Sequence, residues 1–365
     1  MALVVERFEP AGGGVEQVVW NVARGLAKAG DEVHVIARHG EPCSGVRLHP
    51  IPVPTLWQPL RLLAFSARAG REGRRGEFDV VHSFARTRRQ HLVSAGGGSH
   101  ADMMRHTYGT RAARARRLSP RHAVQLAMER RIFADPDQIV VCVSGMVRDE
   151  IARRFGVAEE RLVVIHNAVD TARFDPNRQR TAARSLRAEL GPEKGTVWLF
   201  AGSGWRRKGL DPALEALARS RGDARLWVAG SDAPAPWRRR AERLGVAGRV
   251  RFLGARGDLE RVYAAADGLL LPTRYDAFGL VCLEAAASAR PVVTSALAGA
   301  AELLTDAAVV VSDPRDAGGF ADALDRLADP ALREKLGAEG RRVAERCTWS
   351  HHVAALRDVY RRIAR

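Results

Sequence analysis

The segment from Leu269 to Glu302 constrains the fold most strongly, because it contains two short apolar runs on either side of a helical pattern. The first run, Leu269 to Leu271, ends at a proline, which is typical of a strand buried on both faces. Helical spacing begins at about Phe278, and the second apolar run follows from Val292 to Thr294. A buried strand, a helix and another buried strand predict an open α/β sheet.

Two carboxylates in this segment fall where such a sheet binds ligands, beyond the carboxyl ends of its strands. Asp276 is predicted on the loop at that edge, and Glu284 about two turns into the helix. Acids at this spacing can contact different parts of one long ligand. The alternative is an ordinary helix start, in which Asp276 complements the helix dipole and Glu284 is a surface acid.

The N-terminus opens with a strand, a glycine-rich loop, a helix and a second strand, predicted at residues 2–5, 10–14, 16–29 and 32–37. A glycine-rich loop that runs into a helix offers bare amides and a positive dipole end, which favours phosphate binding. The loop lacks the GxGxxG pattern of dinucleotide-binding folds.

Strands and helices alternate through the whole chain, whose 365 residues suggest two domains. Short connections between alternating elements favour parallel sheets. The predicted fold class is α/β, with parallel-sheet domains at residues 1–170 and 171–348, joined by a link at 178–190. Residues 105–131 are interpreted as one long basic helix. Further strands are predicted at residues 79–84, 91–95, 139–144, 161–170 with its turn, 197–201, 224–229 and 250–253.

A group of cations follows the predicted strand 197–201. Glycines at the strand end precede Arg206, Arg207 and Lys208, and a helix begins directly after them. Arginine offers a bidentate fork to a phosphate and lysine a point charge, so the pattern suits a phosphorylated ligand. The alternative is three solvated cations before a helix.

A glycine triplet, Gly96 to Gly98, follows another predicted strand and allows a substrate to approach the backbone closely. His100 and Asp102 come just beyond it and are candidate substrate-binding groups. A lone histidine beside a loop is more often structural than catalytic.

The chain is strongly basic, with a net charge of +16. Residues 61–131 alone hold sixteen arginines and five acids. Nucleic acid is the first partner to consider for such a surface, yet aromatic residues that could stack on bases are sparse there. An anionic membrane surface or a phosphorylated glycolipid explains the same charge, and so does a GC-rich genome that favours arginine.

The four cysteines, Cys43, Cys142, Cys282 and Cys347, are far apart and lack metal-ligand spacing. We expect them to be reduced and structural, without zinc. No apolar run approaches the roughly eighteen residues of a membrane span, and the N-terminus lacks the flanks of a signal peptide. A cytoplasmic protein is therefore expected.

The sequence YDAFGLVCLEAAASARPVV resembles the family 4 retaining glycosyltransferases, whose pattern here is Glu, seven residues, Glu. In that family the first acid faces the donor sugar and the second holds the nucleotide ribose. The resemblance assigns these roles to Asp276, one methylene shorter than the family's glutamate, and to Glu284. Lys208 matches the family's phosphate-binding lysine and Arg207 its accompanying arginine. The implied catalytic residues are Asp276, Lys208 and Arg207.

Other family motifs extend the resemblance along nearly the whole chain. The N-terminal glycine loop resembles the one that approaches the donor diphosphate, the FxGxxxD region after strand 250–253 receives the base, and Gly299 to Glu302 matches a GGxxE loop with one glycine lost. His100 and Asp102 fall on the acceptor side. The donor-binding residues implied in this way are Gly13, Gly14, Gly202, Ser203, Arg207, Lys208, Phe252, Asp276, Ala277, Phe278, Gly279, Leu280 and Glu284.

Within the family, the resemblance is closest to the lipopolysaccharide core glucosyltransferase I group. It implies two doubly wound Rossmann-like domains facing across a cleft (the GT-B fold), with a terminal helix at 349–365 packing back on the first domain. It also implies transfer of glucose from UDP-glucose to a glycolipid or lipopolysaccharide-core-like acceptor, with retention and with neither cofactor nor metal. We expect a monomer at the inner face of the cytoplasmic membrane, without a specific nucleic-acid partner.

Three other functions are left open by the sequence. A sugar-nucleotide 2-epimerase shares the two-domain shape and phosphate chemistry but needs acid and base side chains near the sugar. A basic protein that binds nucleic acid or a membrane surface without catalysis would explain the charge. A catalytically silent relative would account for Asp276, Ala168 and Ala300, which depart from the family pattern.

Overall fold

The computed structural model describes residues 1–10, 12–53, 56–73, 77–190 and 195–364. The chain divides into two compact units. The first unit comprises Met1–Asn167 and Trp349–Arg365, and the second comprises Ala168–Thr348. The break after Asn167 falls three residues before the end of the first domain predicted from the sequence.

The first unit contains a parallel sheet with helices between its strands. Its elements are β1 (Ala2–Phe8), α1 (Gly14–Lys28), β2 (Val33–Gly40), β3 (Val46–Pro50), α2 (Gln58–Glu72), β4 (Val81–Ser83), β5 (Leu92–Ala95), α3 (His100–Tyr108), α4 (Thr110–Arg116), α5 (Pro120–Phe133), β6 (Ile139–Cys142), α6 (Gly145–Phe155) and β7 (Leu162–Val164). Among the described residues the strand order is β3-β2-β1-β4-β5-β6-β7, with every pairing parallel.

The second unit has the same architecture. Its elements are α7 (Arg180–Glu189), β8 (Val197–Ala201), α8 (Trp205–Lys208), α9 (Leu210–Arg219), β9 (Arg225–Ala229), α10 (Ala235–Arg243), β10 (Val250–Gly254), α11 (Leu259–Ala265), β11 (Gly268–Leu271), α12 (Leu280–Ala287), β12 (Val292–Ser295), β13 (Ala308–Val311), α13 (Ala317–Arg326) and α14 (Pro330–Arg346). Where the chain is described, the strands pair in parallel in the order β10-β9-β8-β11-β12-β13. Two parallel-sheet Rossmann-like units confirm the predicted α/β fold class.

The apolar pattern explains which faces are buried. In α1, the four residues at helical spacing predicted to face the core, Val18, Val19, Val22 and Leu26, are all buried against the sheet. Strand β11 is buried at every position, as its continuous apolar sequence predicts. Helix α12 is buried around most of its circumference, so its position is fixed by packing rather than by an amphipathic stripe.

The last helix, α15 (Trp349–Ile363), belongs to the first unit. A Cβ added at Gly25 would lie 2.6 Å from the side chain of Val353, so the glycine lets α15 approach α1 closely. Near the end of α15 the Tyr360 hydroxyl and His82 Nδ1 are 2.7 Å apart, and both side chains are buried. These contacts attach the C-terminal helix to the first sheet.

One expectation about a helix was wrong. Residues 105–131 form parts of three helices, because Gly109 adopts φ +82 after α3 and Pro120 starts α5. The predicted link at 178–190 contains α7, which packs against α11 and is part of the second unit. Sequence analysis had not identified α2, α6, α13 or α14.

Within the described residues, none of the helices combines the length and the apolarity that crossing a bilayer requires. All four cysteines are free thiols, and Cys142 and Cys282 are buried.

Candidate functional site

Two glycines position Lys208 at the end of the second sheet. Gly202 has φ +102, and a Cβ there would lie 2.7 Å from Lys208 Cε, so another residue would be strained and would displace the lysine chain. Gly209 has φ +83, and a Cβ there would lie 1.8 Å from the carbonyl oxygen of Pro272. The turn after α8 therefore approaches the loop after β11 more closely than any other residue type allows.

The predicted cations and the predicted acid meet at this point. Lys208 Nζ donates a hydrogen bond to Asp276 Oδ2 at 3.0 Å, and Arg207 Nη1 lies 3.6 Å from the same oxygen. Only 10% of the Lys208 side chain and 18% of the Asp276 side chain are exposed. Arg207 Nη1 also donates to the carbonyl oxygen of Tyr275 at 2.7 Å. The three residues predicted to be catalytic form one partly buried ion cluster.

The loop that carries Asp276 is held by a second loop, the short 3-10 helix Gly299–Glu302 and the residues before it. The amide of Asp276 donates to Leu297 O at 2.9 Å, and the amide of Gly299 donates back to Asp276 O at 3.0 Å. The amide of Ala300 bonds Phe278 O at 2.6 Å. The GAAE motif thus fixes the backbone on both sides of the carboxylate.

Charge controls the ionisation of this cluster. Burial raises the pKa of Asp276, but the charges of Lys208 and Arg207 outweigh it and hold that pKa below its ordinary value. The carboxylate is therefore ionised at neutral pH, and it keeps the two cations in place.

Glu284 lies on α12 and is partly buried. The Tyr263 hydroxyl donates to Glu284 Oε2 at 2.9 Å. Burial raises the pKa of Glu284, and the hydrogen bond from Tyr263 opposes this shift. Tyr263 was not identified from the sequence, because it precedes its partner by 21 residues and carries no motif.

The remaining predicted donor residues of this unit surround the same strand ends. Ser203 Oγ and Ser231 Oγ are 2.7 Å apart, and the ring of Phe252 lies 5.6 Å from that of Trp205. Ala277 and Phe278 point into the core, where they are 4% and 2% exposed. Only backbone atoms of these two residues are therefore presented to a ligand. Gly279, with φ +89, precedes the first residue of α12, Leu280.

In the first unit, the predicted glycine loop ends at the start of α1, with Gly13 as the N-cap and Gly14 as the first helical residue. A Cβ at Gly13 would lie 3.0 Å from Glu16 Oε2, so this carboxylate lies over the loop. Arg7 Nη2 bonds the other oxygen of Glu16 at 3.1 Å. The loop thus combines helix amides with a neutralised acid, a feature that the sequence did not reveal.

His100 and Asp102 have partners inside the first unit. His100 Nε2 lies 2.9 Å from His122 Nδ1, and burial together with the charge of Arg86 lowers the pKa of His100 to about 3. Asp102 is 1% exposed and accepts two hydrogen bonds from the guanidinium of Arg154. Their contacts are those of structural residues, so the acceptor role predicted for them gains no support from their geometry.

One group of possible metal ligands occurs among the described residues: the side-chain atoms of Asp102, His106 and Glu150 lie within 4.8 Å of one another. Because both oxygens of Asp102 already accept from Arg154, a cation would compete with a guanidinium. The group belongs to the first unit, whereas Lys208 and Asp276 belong to the second. Independence of a metal remains a prediction.

The sequence of the chain matches known protein families. A model described as Glycosyltransferase Family 4 matches residues 12–173, and one described as Glycosyl transferases group 1 matches residues 195–330. The chain is 32% identical over 357 residues to a probable transglycosylase of Burkholderia thailandensis, covering 95% of this chain and 93% of the relative. It is 32% identical over 389 residues to a D-inositol 3-phosphate glycosyltransferase of Salinispora arenicola, covering 95% and 87%.

Solved structures agree with the fold. The crystal structure of WaaG, a glycosyltransferase involved in lipopolysaccharide biosynthesis, superposes with a TM-score of 0.83 at 24% identity, covering 98% of this chain and 99% of WaaG. HepE of Anabaena in complex with UDP-glucose superposes with a TM-score of 0.74 at 17% identity, covering 98% and 99%.

The fold and the family models together define a glycosyltransferase with the GT-B fold. The chain belongs to the family 4 glycosyltransferases, which confirms the resemblance found in its sequence. A transferase is thereby favoured over the epimerase and over a binding protein without catalysis.

Proposed function

We propose that the protein transfers glucose from UDP-glucose to a hydroxyl group of a glycolipid or lipopolysaccharide-core-like acceptor, with retention at the anomeric carbon and without a metal. HepE, whose structure contains UDP-glucose, and WaaG, which is involved in lipopolysaccharide biosynthesis, have the same fold and support this assignment. The observation that carries the proposal is the cluster of Lys208, Arg207 and Asp276 at the carboxyl ends of β8 and β11.

The cluster suits a departing diphosphate. Lys208 has three N–H donors and uses one of them to bond Asp276, so the other two can donate to phosphate oxygens. Asp276 holds the lysine and Arg207 in position before negative charge develops on the leaving group. Cations that are preorganised in this way stabilise the transition state without reorganising during the reaction.

We assign the carboxylates of Asp276 and Glu284 to the two ends of the donor, the sugar and the ribose. Asp276 uses Oδ2 for the cations, which leaves Oδ1 for a hydroxyl of the donor sugar. Glu284 is held through Oε2 by Tyr263, so Oε1 is left for the hydroxyls of a ribose. In the mechanism we propose, the acceptor hydroxyl attacks the face from which the diphosphate departs. The departing phosphate takes the proton of that hydroxyl, so no separate base is required.

Peripheral attachment to an anionic membrane is part of the proposal. Leu56 and Trp57, just before α2, and Leu60 and Leu63, in its first two turns, are exposed, with 57% of Trp57 and 48% of Leu60 accessible to solvent. Apolar side chains next to a basic surface suit interfacial binding, in which charge attracts the protein and apolar side chains enter the headgroup region.

The test is a panel of UDP-, GDP-, ADP- and TDP-sugars, with donor hydrolysis and thermal shift measured in the presence of EDTA. We expect UDP-glucose to stabilise the protein and to be hydrolysed slowly without a metal. Stabilisation by another donor alone would reject the donor assignment, and dependence on added Mg²⁺ or Mn²⁺ would reject the metal-free mechanism. If no donor stabilises the protein, the chain is a catalytically silent member of the family.

A further inference from the structure

A pocket of about 610 Å³ lies in the first unit, between the second half of α2 and the end of α5. Its lining includes residues 87–90, which precede β5, and Gln138, which precedes β6. The strands are parallel, so the pocket lies at the edge where β5 and β6 begin. The glycine loops after β1 and β5 lie at the opposite edge. The pocket is therefore separate from the edge to which transferase substrates are assigned.

Four arginines line this pocket: Arg71, Arg88, Arg89 and Arg131. All four are exposed, and within the described part of the chain none of them has an ion-pair partner. Among the described residues of the lining, Asp135 is the one acid, and its Oδ1 accepts from the amide of Asp137. Four guanidinium groups around one pocket repel each other unless an anion lies between them.

Two other arginines of the same unit have the acid partners that these four lack. Arg86 bonds the buried Glu129 at 2.9 Å, and Arg154 bonds Asp102. An arginine-rich composition by itself does not explain why unpaired arginines gather around one cavity, whereas an anion-binding function does.

The segment that presents Arg88 and Arg89 is held rigidly. Gln90 Nε2 donates to Gln138 Oε1 at 2.6 Å, and Thr87 Oγ1 donates to Gln90 Oε1 at 3.3 Å, all in the interior. On the other side, a Cβ at Gly70 of α2 would lie 3.0 Å from the carbonyl oxygen of Arg88. The backbone of the two arginines is thus preorganised, which lowers the entropic cost of binding.

Arg89 adopts φ +69, a conformation that glycine enters far more easily than arginine. Keeping an arginine there costs conformational energy that a glycine would avoid. A ligand-binding role for the Arg89 side chain explains why an arginine occupies this position. Arg89 lines the pocket directly beside Arg88, so the two residues add positive charge to the same part of its lining.

We propose that this pocket binds a phosphate-bearing anion with at least two negative charges. Guanidinium groups bind phosphate oxygens with paired hydrogen bonds, and four of them around one acid leave a net positive charge for a multiply charged group. The phosphate could belong to a soluble ligand or to a lipid headgroup. The site does not depend on the transfer reaction.

Isothermal titration of the full chain with tripolyphosphate tests the proposal. We expect the double variant Arg88→Gln/Arg131→Gln to bind at least about tenfold more weakly. Arg184→Gln/Arg362→Gln removes the same charge from exposed positions elsewhere and should bind like the wild type. Lys208→Ala removes a predicted phosphate contact of the second unit, so the tripolyphosphate binding that this variant retains is the step that we assign to the pocket. Equal binding by both double variants would overturn the proposal.

A second variant tests the proposal with a substitution that is not expected to destabilise the fold. Arg89→Gly should weaken tripolyphosphate binding while leaving the Tm equal or higher, because glycine relieves the left-handed backbone. If tripolyphosphate binding is unchanged, Arg89 is not part of the site, and its assignment to the positively charged lining is wrong.

Vesicles distinguish the two sources of phosphate. Binding of free tripolyphosphate that is sensitive to Arg88→Gln/Arg131→Gln identifies a site for soluble ligands. Binding only to phosphatidic acid vesicles, not to phosphatidylcholine vesicles, with the same sensitivity identifies a headgroup site. If neither probe distinguishes this variant from Arg184→Gln/Arg362→Gln, the pocket is not an anion site.

Discussion

The ammonium group of Lys208 lies 3.0 Å from Asp276 Oδ2, although the two residues are 68 positions apart. Gly202 and Gly209 create this contact, because one leaves room for the lysine chain and the other lets its turn reach Pro272. The ion pair is therefore a consequence of backbone geometry at two strand ends. It places a fixed positive charge where a donor phosphate is expected.

Replacing Lys208 by alanine should lower kcat/KM for sugar transfer by roughly 10²–10³, because a preorganised cation is lost from the leaving group. Steady-state kinetics with UDP-glucose measures this. Lys335→Ala removes an exposed lysine of the same unit and should change little. An unchanged kcat/KM in Lys208→Ala would remove this residue from the catalytic site.

Replacing Asp276 by asparagine should destabilise the protein in a pH-dependent way. The pKa of Asp276 is held below its ordinary value of 3.8, so the ionised carboxylate stabilises the fold above that pH. The stabilisation is lost as pH falls through the lowered pKa of the folded state. We expect the Tm difference between the wild type and Asp276→Asn to be constant at neutral pH and to shrink below about pH 4. A difference that grows on acidification would contradict the assigned ion pair.

Local motifs predicted much of this site, because its contacts involve loops that follow neighbouring strands. The spacing in the GSGWRRKG and YDAFGLVCLE sequences, together with their resemblance to family motifs, selected Lys208, Asp276 and Glu284, whose roles stay predictions. Parallel strands then bring the two motifs to one edge of the sheet. The positions of the strands in the second unit were predicted for the same reason, since continuous apolar runs mark buried strands.

Contacts between distant side chains could not be predicted. Asp102 seemed available for a substrate, but Arg154 lies 52 positions later and its guanidinium occupies the carboxylate. Tyr263 has no motif that connects it with Glu284. Such features are set by tertiary packing rather than by local pattern.

Tyr263→Phe should weaken donor binding more than it slows catalysis. Removing the hydroxyl leaves Glu284 without the donor that fixes Oε2, so the carboxylate can rotate away from the ribose position. We expect the KM for UDP-glucose to rise about tenfold, which corresponds to roughly 1.4 kcal/mol, with a smaller change in kcat. Direct titration with UDP is the check, and unaltered UDP affinity would argue against a ribose role for Glu284.

Gly209→Ala should unfold or inactivate the second unit. The added Cβ would lie 1.8 Å from Pro272 O at a residue with φ +83, so both steric overlap and backbone strain oppose it. We expect a loss of at least about 2–3 kcal/mol in the free energy of unfolding, together with loss of activity. Gly248→Ala is the matched control, since a Cβ there has no neighbour within 4 Å. Equal denaturation midpoints for the two variants would show that the approach to Pro272 is not close in solution.

The double variant Trp57→Ala/Leu60→Ala should separate the apolar contribution to membrane binding from the electrostatic contribution. The substitutions leave the net charge of +16 unchanged but remove two exposed apolar side chains from the start of α2. At about 25 cal/mol per Å² of buried apolar surface, their loss should weaken binding to anionic vesicles at least about tenfold. Co-sedimentation at low and high salt measures both parts, with Val310→Ala in the second unit as a control. If the double variant binds like the wild type, α2 does not enter the membrane. If salt has no effect on the wild type, the arginine-rich surface is not the attraction.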